Sequence, residues 1–343
     1  MTRIERRAFS LVLDSSLSTA TGEIDRREGI ALRVGESPPG VGEATPLPGW
    51  TESLEACRSA LSDVSNPRSA LSILADRPAA RHGLSLALAD RAARRADVPL
   101  YRHLGGGRRV ERLAVNATVG DGSAKETVEA AERAVSAGFE TIKCKVGARS
   151  IGEDLERVRA LRDAVGSDVA LRLDANGAWD RREADRALSA LAGLDVEYVE
   201  QPLPADDIGG HRAITDGSVP IALDESLAGR SPEDITLLAD AADVLVLKPM
   251  ALGGPDRVVA LGRRIRDRGL DVVVTTTIDA VIARTGAIHA AAALDVKRAC
   301  GLATADLLTD DLGSDPASVR DGTITVPQTP GLGTDGPWGG RDA

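Results

Sequence analysis

The chain has 343 residues, of which 43% are hydrophobic and 27% are charged, and its 52 acidic against 42 basic residues give a net charge of -10. This composition excludes a disordered chain, and the acidic balance argues against nucleic acid as a partner. The longest apolar stretches, such as residues 287–294, are far shorter than the ~20 residues that span a membrane, and the charged residues 1–7 are not followed by an apolar run. We therefore expect a cytoplasmic protein with no membrane partner.

The cysteines and lysines are few, and both are informative. Cys57, Cys144 and Cys300 are far apart and form no CxxC pair, so neither a disulfide framework nor a structural zinc site is expected. Subtracting the five lysines from the 42 basic residues leaves 37 arginines; the lysines are Lys125, Lys143, Lys145, Lys248 and Lys297. A position that keeps lysine in such a chain suggests a role that arginine fills poorly, such as a base that must lose its proton.

The first ~110 residues predict a separate α+β unit. Residues 4–13 and 27–34 have the apolar pattern of antiparallel strands, and residues 51–62 and 81–96 have that of helices. Between them, residues 40–50 are so rich in Gly and Pro that we expect irregular structure there. That segment is either a loop that covers a site or a plain linker.

From about residue 112 onward, eight apolar runs alternate with amphipathic stretches. The runs are residues 113–119, 141–146, 169–176, 196–202, 220–226, 244–250, 271–278 and 299–304. The helix-like stretches are residues 124–136, 153–164, 181–191, 209–216, 232–241, 256–268 and 281–293. This alternation favours an α/β fold with a parallel barrel, and a doubly wound sheet is the alternative. The run of glycines at 105–107 lacks a preceding strand, so it is not a phosphate-binding fingerprint.

Charged residues stand where five successive apolar runs end. They are Lys143 and Lys145, Asp174, Glu200, Asp224 with Glu225, and Lys248, and the steps from Lys145 to Lys248 are 29, 26, 24 and 24 residues. Each step is one strand plus one helix, so these side chains are expected at the carboxyl-end rim of the barrel, where active sites lie.

Strand alternation refines this picture, because residues two apart share a face. Lys143 and Lys145 then point into the barrel together, and Cys144 packs outside. By the same rule Arg172 lies inside, beneath Asp174, where we expect a core charge that is paired with a carboxylate.

The three acids Asp174, Glu200 and Asp224 would repel one another in a partly buried pocket unless a cation joins them. Oxygen ligands without His or Cys favour Mg²⁺, with Mn²⁺ as a substitute, and leave coordination positions for a small carboxylate substrate. A lysine beside such a metal and a second lysine can give up its proton, and Lys248 faces it across the acids. Each residue alone is more simply a solvated strand end or an ion pair, but the set suits proton abstraction next to a carboxylate.

These motifs resemble the enolase superfamily, in its muconate cycloisomerase subgroup. The resemblance is carried by Lys143-x-Lys145, Asp174-x-Asn176, Glu200-Gln201-Pro202, Asp224-Glu225-Ser226 and Lys248-Pro249, and by Gly42-Glu43-Ala44 with residues 86–90 and 99–106. It implies a modified TIM-like barrel at 111–310 and an α+β capping domain at 1–110, with the tail 311–343 packing back on that domain.

The resemblance also implies roles for the site residues. Asp174, Glu200 and Asp224 would bind Mg²⁺, Lys145 would be the base, Lys143 would tune it and contact the substrate carboxylate, and Lys248 would face the other side of the intermediate. Supporting or substrate-binding roles are implied for Asn176, Gln201, Glu225, Ser226, Trp50, Gly253, Gly254, Thr277 and Asp279. The loops near residues 17–22, 47–50 and 277–280 are expected at the substrate end.

Several activities compete within the subgroup. Dipeptide epimerases usually carry Asp-x-Asp on the eighth strand to hold the substrate ammonium, whereas this chain has Leu302-Ala303-Thr304. The motifs at 248–254 and 301–307 are more similar to o-succinylbenzoate synthases of menaquinone biosynthesis, which are carbon-oxygen lyases. Muconate cycloisomerase and N-succinylamino acid racemase, both isomerases, remain alternatives, and a barrel that binds without turnover is disfavoured because no base or ligand is missing. The sequence leaves the formation of a homo-oligomer open.

Overall fold

The structure is a computed structural model that describes residues 3–19, 22–215 and 217–339. Residues 20 and 21, in the loop expected at the substrate end, lie outside the described residues. The N-terminal part combines an antiparallel sheet, in the order β1-β2-β3, with four helices. Their bounds are β1 Ile4–Thr19, β2 Gly22–Val34, β3 Gly40–Ala44, α1 Leu54–Ser62, α2 Pro67–Ile73, α3 Pro78–Arg95 and α4 Leu100–His103.

Strand β3 corrects the expectation that residues 40–50 are irregular throughout. Gly40–Ala44 pairs with β2 and is buried along its whole length. A Cβ on Gly42 would stand 1.9 Å from the carbonyl oxygen of Gly83, and one on Gly40 would stand 2.1 Å from that of Ala87. The glycines are therefore there because the strand lies directly on helix α3, and the irregular loop begins only at Thr45.

Strand β4, Arg112–Ala114, leads into a curled sheet of seven parallel strands that follow one another in chain order. These are β5 Ala117–Val119, β6 Thr141–Lys145, β7 Ala170–Asp174, β8 Val196–Glu200, β9 Ile221–Leu223, β10 Val244–Leu247 and β11 Asp271–Val274. The helices around them are α5 Ala124–Ser136, α6 Ile151–Val165, α7 Arg181–Leu191, α8 Ile208–Thr215, α9 Pro232–Thr236, α10 Pro249–Leu252, α11 Pro255–Arg266 and α12 Val281–Leu294.

The eighth strand predicted at 299–304 is not formed as a strand. Two single parallel bridges stand in its place, Val115 to Cys300 on one side and Thr275 to Gly301 on the other. At Gly301 the contact with strand β11 is one bridge instead of a continuous ladder of backbone hydrogen bonds. The carbonyl of Gly301 also accepts a hydrogen bond from Thr275 Oγ1 at 2.9 Å. These bridges join the two ends of the parallel sheet, so the predicted barrel with an N-terminal α+β domain is confirmed and the doubly wound sheet is excluded.

The C-terminal tail contacts both parts of the molecule. Strands β12, Val319–Arg320, and β13, Thr323–Thr325, extend a small antiparallel sheet from β4. Further on, Gly331 accepts a backbone hydrogen bond from Leu100 at the start of α4. The predicted domain boundaries at 110 and 311 stay predictions.

Local sequence explains where the barrel helices begin. Ser123 with Glu126 forms a capping box at the start of α5, and the same device opens α6 and α7. Helix α12 differs, because every one of its residues is buried and it contacts strands β3 and β11 as well as helix α3. It therefore lies between the N-terminal sheet and the barrel. None of the helices in the described ranges is long and apolar enough to cross a membrane.

Candidate active site

Lys143 lies between two buried acids at the carboxyl end of the sheet. Its Nζ donates to Glu200 Oε1 at 2.7 Å and stands 2.9 Å from Asp174 Oδ2. The parallel register explains this contact, because Lys145 pairs with Asp174 and Asp174 pairs with Glu200 on the next strand. Strands β6, β7 and β8 therefore end level with one another.

Lys248 closes the other side of this rim, directly after strand β10. Its Nζ donates to Asp224 Oδ2 at 2.6 Å and lies 3.6 Å from the centre of the Trp50 ring. Trp50 comes from the loop that follows strand β3. The Lys248 ammonium thus has a carboxylate on one side and an aromatic face on another, and both contacts suit a cation.

Lys145 differs from the other two lysines of the rim in its partner. Its Nζ donates to the neutral amide oxygen of Asn176, Oδ1, at 3.1 Å. The amide of Asn176 in turn donates to Glu225 Oε1 at 2.9 Å. Lys145 is half-buried at the mouth of the barrel. Its amine is therefore held by an uncharged group, in a position that a substrate can reach.

Gln201 organises the end of strand β9 from beneath. Its side-chain oxygen accepts from the backbone N–H groups of Asp224 and Ser226, both at 3.1 Å, and its amide donates to Ser226 Oγ at 2.8 Å. Gln201 is fully buried and has a φ of 42°. Asn176 is also in the left-handed region, with a φ of 45°. Both residues hold backbone strain at the rim, which is where functional sites store it.

The buried charges shift one another's pKa values. Burial lowers the pKa of Lys143, but Asp174 and Glu200 more than offset this and hold it well above its ordinary value. Burial raises the pKa of Asp224 well above its usual range, even though Lys248 opposes the shift, and burial likewise raises that of Glu200. Burial raises the pKa of Asp174, but Lys143 and Lys145 together more than offset this, so its pKa is lowered. The lysines therefore offset the burial of Asp174, but not that of Glu200 or Asp224.

The acids of the rim differ in how well their oxygens are satisfied, which bears on their fit to a divalent cation. Asp224 Oδ1 is buried and has no hydrogen-bond partner within the described chain, so one acid oxygen at the rim is not satisfied by the protein. In residues 3–19, 22–215 and 217–339, no three His, Cys, Asp or Glu side chains stand together as metal ligands do, and Lys143 and Lys248 are paired with the acids of the rim. The residue types and their burial fit a hard cation such as Mg²⁺.

The family model described as Enolase C-terminal domain-like matches residues 126–336. The chain belongs to the enolase superfamily. It is 30% identical to L-Ala-D/L-Glu epimerase of Bacillus subtilis over 96% of this chain and 95% of that protein. It is 40% identical to o-succinylbenzoate synthase of Thermobifida fusca over 63% of this chain and 67% of that protein. The resemblance found in the sequence is confirmed.

Solved structures of the superfamily share the fold over nearly the whole chain. Muconate lactonizing enzyme from Pseudomonas fluorescens matches with a TM-score of 0.87 at 26% identity, covering 96% of this chain and 95% of that one. A dipeptide epimerase from Enterococcus faecalis, complexed with Mg and the dipeptide L-Leu-L-Tyr, matches with a TM-score of 0.85 at 28% identity, covering 96% and 98%. Relatives of this chain thus bind small molecules, and some are seen with Mg.

Gly253 and Gly254, for which a supporting or substrate-binding role is predicted, contact helix α3. The carbonyl of Gly253 accepts from Arg81 on helix α3, and Gly254, with a φ of 137°, packs against Ser85 of the same helix. Arg81 and Ser85 both also bind Asp256 at the start of α11. The two glycines therefore join the barrel to helix α3, and their supporting or substrate-binding role stays a prediction.

Thr277 and Asp279, the other two residues predicted near the substrate end, bond to each other. The Thr277 hydroxyl and backbone N–H both donate to the Asp279 carboxylate, and both side chains are buried. They close a tight turn after strand β11, in which Ile278 has a φ of 58°. The side chain of Ile278 packs against a small apolar cluster that includes Leu13. The turn is thus held by the bonds between Thr277 and Asp279 and by this apolar contact.

A cavity of about 70 Å³ lies inside the barrel below the rim. Among the described residues that line it, Glu200 is the one acid and Lys143 the one base; the others are Asn116, Thr118, Tyr198, Val246, Val273, Thr275, Gly301, Ala303 and Thr304. The alternation rule could have found Tyr198, two residues before Glu200, and Asn116 with Thr118 on the first strand. A larger cavity of about 660 Å³, between Arg94 and the tail, contains no lysine among the described residues of its lining.

Arg27 was missed by the sequence analysis. Its guanidinium is buried and donates to the carbonyls of Thr45, Pro46 and Ile278. Residues 27–34 also contain Glu28 and Arg33, so no local signal in the sequence singles out Arg27.

Proposed function

We propose that this chain is a cytoplasmic, Mg²⁺-dependent o-succinylbenzoate synthase of menaquinone biosynthesis. The reaction is the dehydration of 2-succinyl-6-hydroxy-2,4-cyclohexadiene-1-carboxylate. The observation that carries the proposal is a complete lysine and acid rim beside an eighth barrel segment with no acid. Gly301, Ala303 and Thr304 line the cavity where dipeptide epimerases usually present an Asp-x-Asp pair to the substrate ammonium. The identity to the synthase of Thermobifida fusca supports this choice.

Lys145 would perform both proton transfers. As a neutral amine it takes the proton from C1, next to the carboxylate, and the electron pair of the C–H bond moves into the carboxylate to give an enediolate. That pair then returns to form the C1–C6 double bond while the C6–O bond breaks. The departing hydroxide takes the same proton from Lys145 and leaves as water, so the ring becomes aromatic.

The remaining rim residues would stabilise the negative charge. Asp174, Glu200 and Asp224 would hold Mg²⁺, which when bound supplies a Lewis acid to the substrate carboxylate. Lys143 lies beside the same acids and would contact that carboxylate. Lys248 would face the other side of the ring as a cation, in the position where it now stacks on Trp50.

Dipeptide epimerisation is the second candidate, because the epimerase of Bacillus subtilis is similar over nearly its whole length. It would need Lys248 to exchange a proton on the second face and another group to bind the substrate ammonium. The ion pair with Asp224 and the stack on Trp50 both favour Lys248 as a fixed cation. Muconate cycloisomerase and N-succinylamino acid racemase activities are supported only by similarity of fold.

The test is a spectrophotometric assay of the dehydration with and without Mg²⁺. We expect efficient turnover that EDTA abolishes and added Mg²⁺ restores. The Glu200→Gln variant should lose the response to Mg²⁺ because an amide is a weaker ligand than a carboxylate. Turnover that is unchanged in excess EDTA would contradict the proposed dependence on Mg²⁺. A lack of turnover in a protein shown to bind Mg²⁺ would contradict the proposed substrate.

A further inference from the structure

Glu43 is a buried carboxylate of strand β3 that reaches across to helix α12. Its Oε1 accepts from the backbone N–H of Ala280 at 2.9 Å, and its Oε2 accepts from that of Ala283 at 2.8 Å. The hydroxyl of Thr45 donates to the same carboxylate. The first turn of this 14-residue helix therefore depends on a side chain from the N-terminal sheet, because its own N-cap, Ala280, has no side chain that could do so.

Arg27 makes a second connection at the same place. Its three bonds go to the carbonyls of Thr45 and Pro46 on one side, at 3.0 and 3.1 Å, and to that of Ile278 on the other side, at 3.1 Å. One planar guanidinium thus joins the loop after β3 to the turn after β11. A lysine could not make three such bonds in one plane.

The turn at residues 276–280 needs support from outside. Ile278 is β-branched and has a φ of 58°, a conformation that is rarely adopted by such residues. Strained backbone of this kind persists only when its surroundings over-determine it. Two hydrogen bonds hold this turn from outside: the Ala280 N–H donates to Glu43, and the Arg27 guanidinium donates to the Ile278 carbonyl.

Both connected segments lead to the candidate site. Thr275, just before the turn, lines the cavity beneath the rim. Pro46, which Arg27 holds, lies four residues before Trp50, whose ring covers Lys248 at 3.6 Å. A shift of either segment would change the wall that meets a substrate, without moving the strands that carry Lys143 and Lys145.

We propose that Glu43 and Arg27 are positioning residues that fix the turn at 276–280 against the loop carrying Trp50, and so set the substrate end of the pocket. The inference rests on the proposed function only for the choice of assay substrate. Neither residue contacts the lysines or the acids of the rim in the described structure.

The kinetic test compares Glu43→Gln with a matched control, Asp90→Asn. Asp90, on helix α3, is equally buried and also accepts from two distant backbone N–H groups, those of Val41 on β3 and Leu332 in the tail, but in the described chain it makes no bond to the turn at 276–280. We expect Glu43→Gln to raise KM about tenfold with a change in kcat of less than about threefold, because substrate placement is lost and the base is not. Asp90→Asn should lower stability and leave KM unchanged. Equal effects of both variants on KM would overturn the proposal.

A second readout does not depend on catalysis. In a Trp179→Phe, Trp338→Phe background, Trp50 is the remaining tryptophan, and its quenching by acrylamide reports how firmly its loop is held. We expect Glu43→Gln and Arg27→Lys each to increase this quenching in the folded protein, whereas Asp90→Asn should not. Unchanged quenching in both test variants would overturn the proposal even if the synthase assay succeeds. Increased quenching would support it even if the chain proves inactive on the synthase substrate.

Discussion

The mouth of the barrel has two unlike arcs. From β6 to β10 every strand ends in a charged residue or is followed directly by one, and the lysines and acids contact one another. From β11 to the eighth segment the corresponding residues are uncharged, with Thr275 bonded to Gly301 and Thr276 to Thr304. The charged arc is held by regular parallel register, and the uncharged arc by single bridges and by contacts from the N-terminal sheet.

This difference separates two tasks. The charged arc carries what proton abstraction beside a carboxylate requires, and the relatives of this chain in the superfamily include both an epimerase and a synthase. The uncharged arc and the Trp50 loop form the wall against which a substrate would lie. A change in the first arc should therefore cost turnover, and a change in the second should cost discrimination between substrates.

Removal of the base should have the largest effect. Lys145→Ala is expected to lower kcat by about 10²- to 10⁴-fold, because general base catalysis contributes that much. The control is Lys125→Ala, which removes an exposed lysine whose contact is with Glu129 on the surface of α5. The measurement is steady-state dehydration in Mg²⁺. Equal activity of the two variants would exclude Lys145 as the base.

The buried carboxylate of Glu43 should make stability depend on pH. Burial, reinforced by Asp279, raises the pKa of Glu43 from 4.5 to about 7. The folded state therefore binds this proton more tightly than the unfolded state, so stability falls as pH rises through that window, by on the order of 3 kcal/mol for this group. The charged or titratable groups of Asp311, His82 and Arg27 also face this carboxylate.

The measurement is urea unfolding of wild type and Glu43→Gln at roughly pH 5 and pH 8. The wild type should lose more stability between these values than the variant does, since glutamine has no proton to release. The same loss in both proteins would assign the pH dependence to other groups.

An acid introduced into the uncharged arc should damage substrate binding. Ala303→Asp places a carboxylate in the cavity beside Glu200, where it repels an anionic substrate. We expect kcat/KM for dehydration to fall about 10- to 100-fold. Ala305→Asp, two residues further along and outside the cavity lining, serves as the control. If the two substitutions have equal effects, the eighth segment does not form the wall.

The aromatic contact with Lys248 should have the smallest effect of these four. Trp50→Leu removes a cation–π contact, for which about 2- to 30-fold in kcat/KM is expected. Trp338→Leu is the matched control, because Arg7 stacks on Trp338 at 4.9 Å far from the rim. A loss of activity in the control that equals the loss in Trp50→Leu would point to general destabilisation.

The sequence predicted the charged arc and the fold class because both follow from strand periodicity. One strand plus one helix separates Lys145, Asp174, Glu200 and Asp224, and parallel register then brings their ends together. Alternation also predicted Arg172 as a core charge on a carboxylate, and it bonds Glu197. The identity of this partner was not predictable, because the pairing of β7 with β8 shifts at Arg172 and skips Glu197.

The sequence did not predict features that depend on contacts between distant segments. Strand β3 is formed because Gly40 and Gly42 admit helix α3, and the glycines alone indicated a loop. Gly253 and Gly254 contact the same helix from the barrel side, through Arg81 and Ser85, and the sequence did not indicate this contact. Arg27 meets its three carbonyls 18, 19 and 251 residues away, a separation that no local pattern reveals.

The most direct test of the division between the arcs is a comparison of two substrates on the wild-type protein. kcat/KM would be measured in Mg²⁺ for dehydration of the cyclohexadiene carboxylate and for epimerisation of L-Ala-L-Glu. We expect dehydration to exceed epimerisation by at least about 100-fold, because the eighth segment offers no carboxylate to an ammonium group. Epimerisation that equals or exceeds dehydration would contradict the account, since the charged arc would then serve a substrate for which the uncharged wall has no partner.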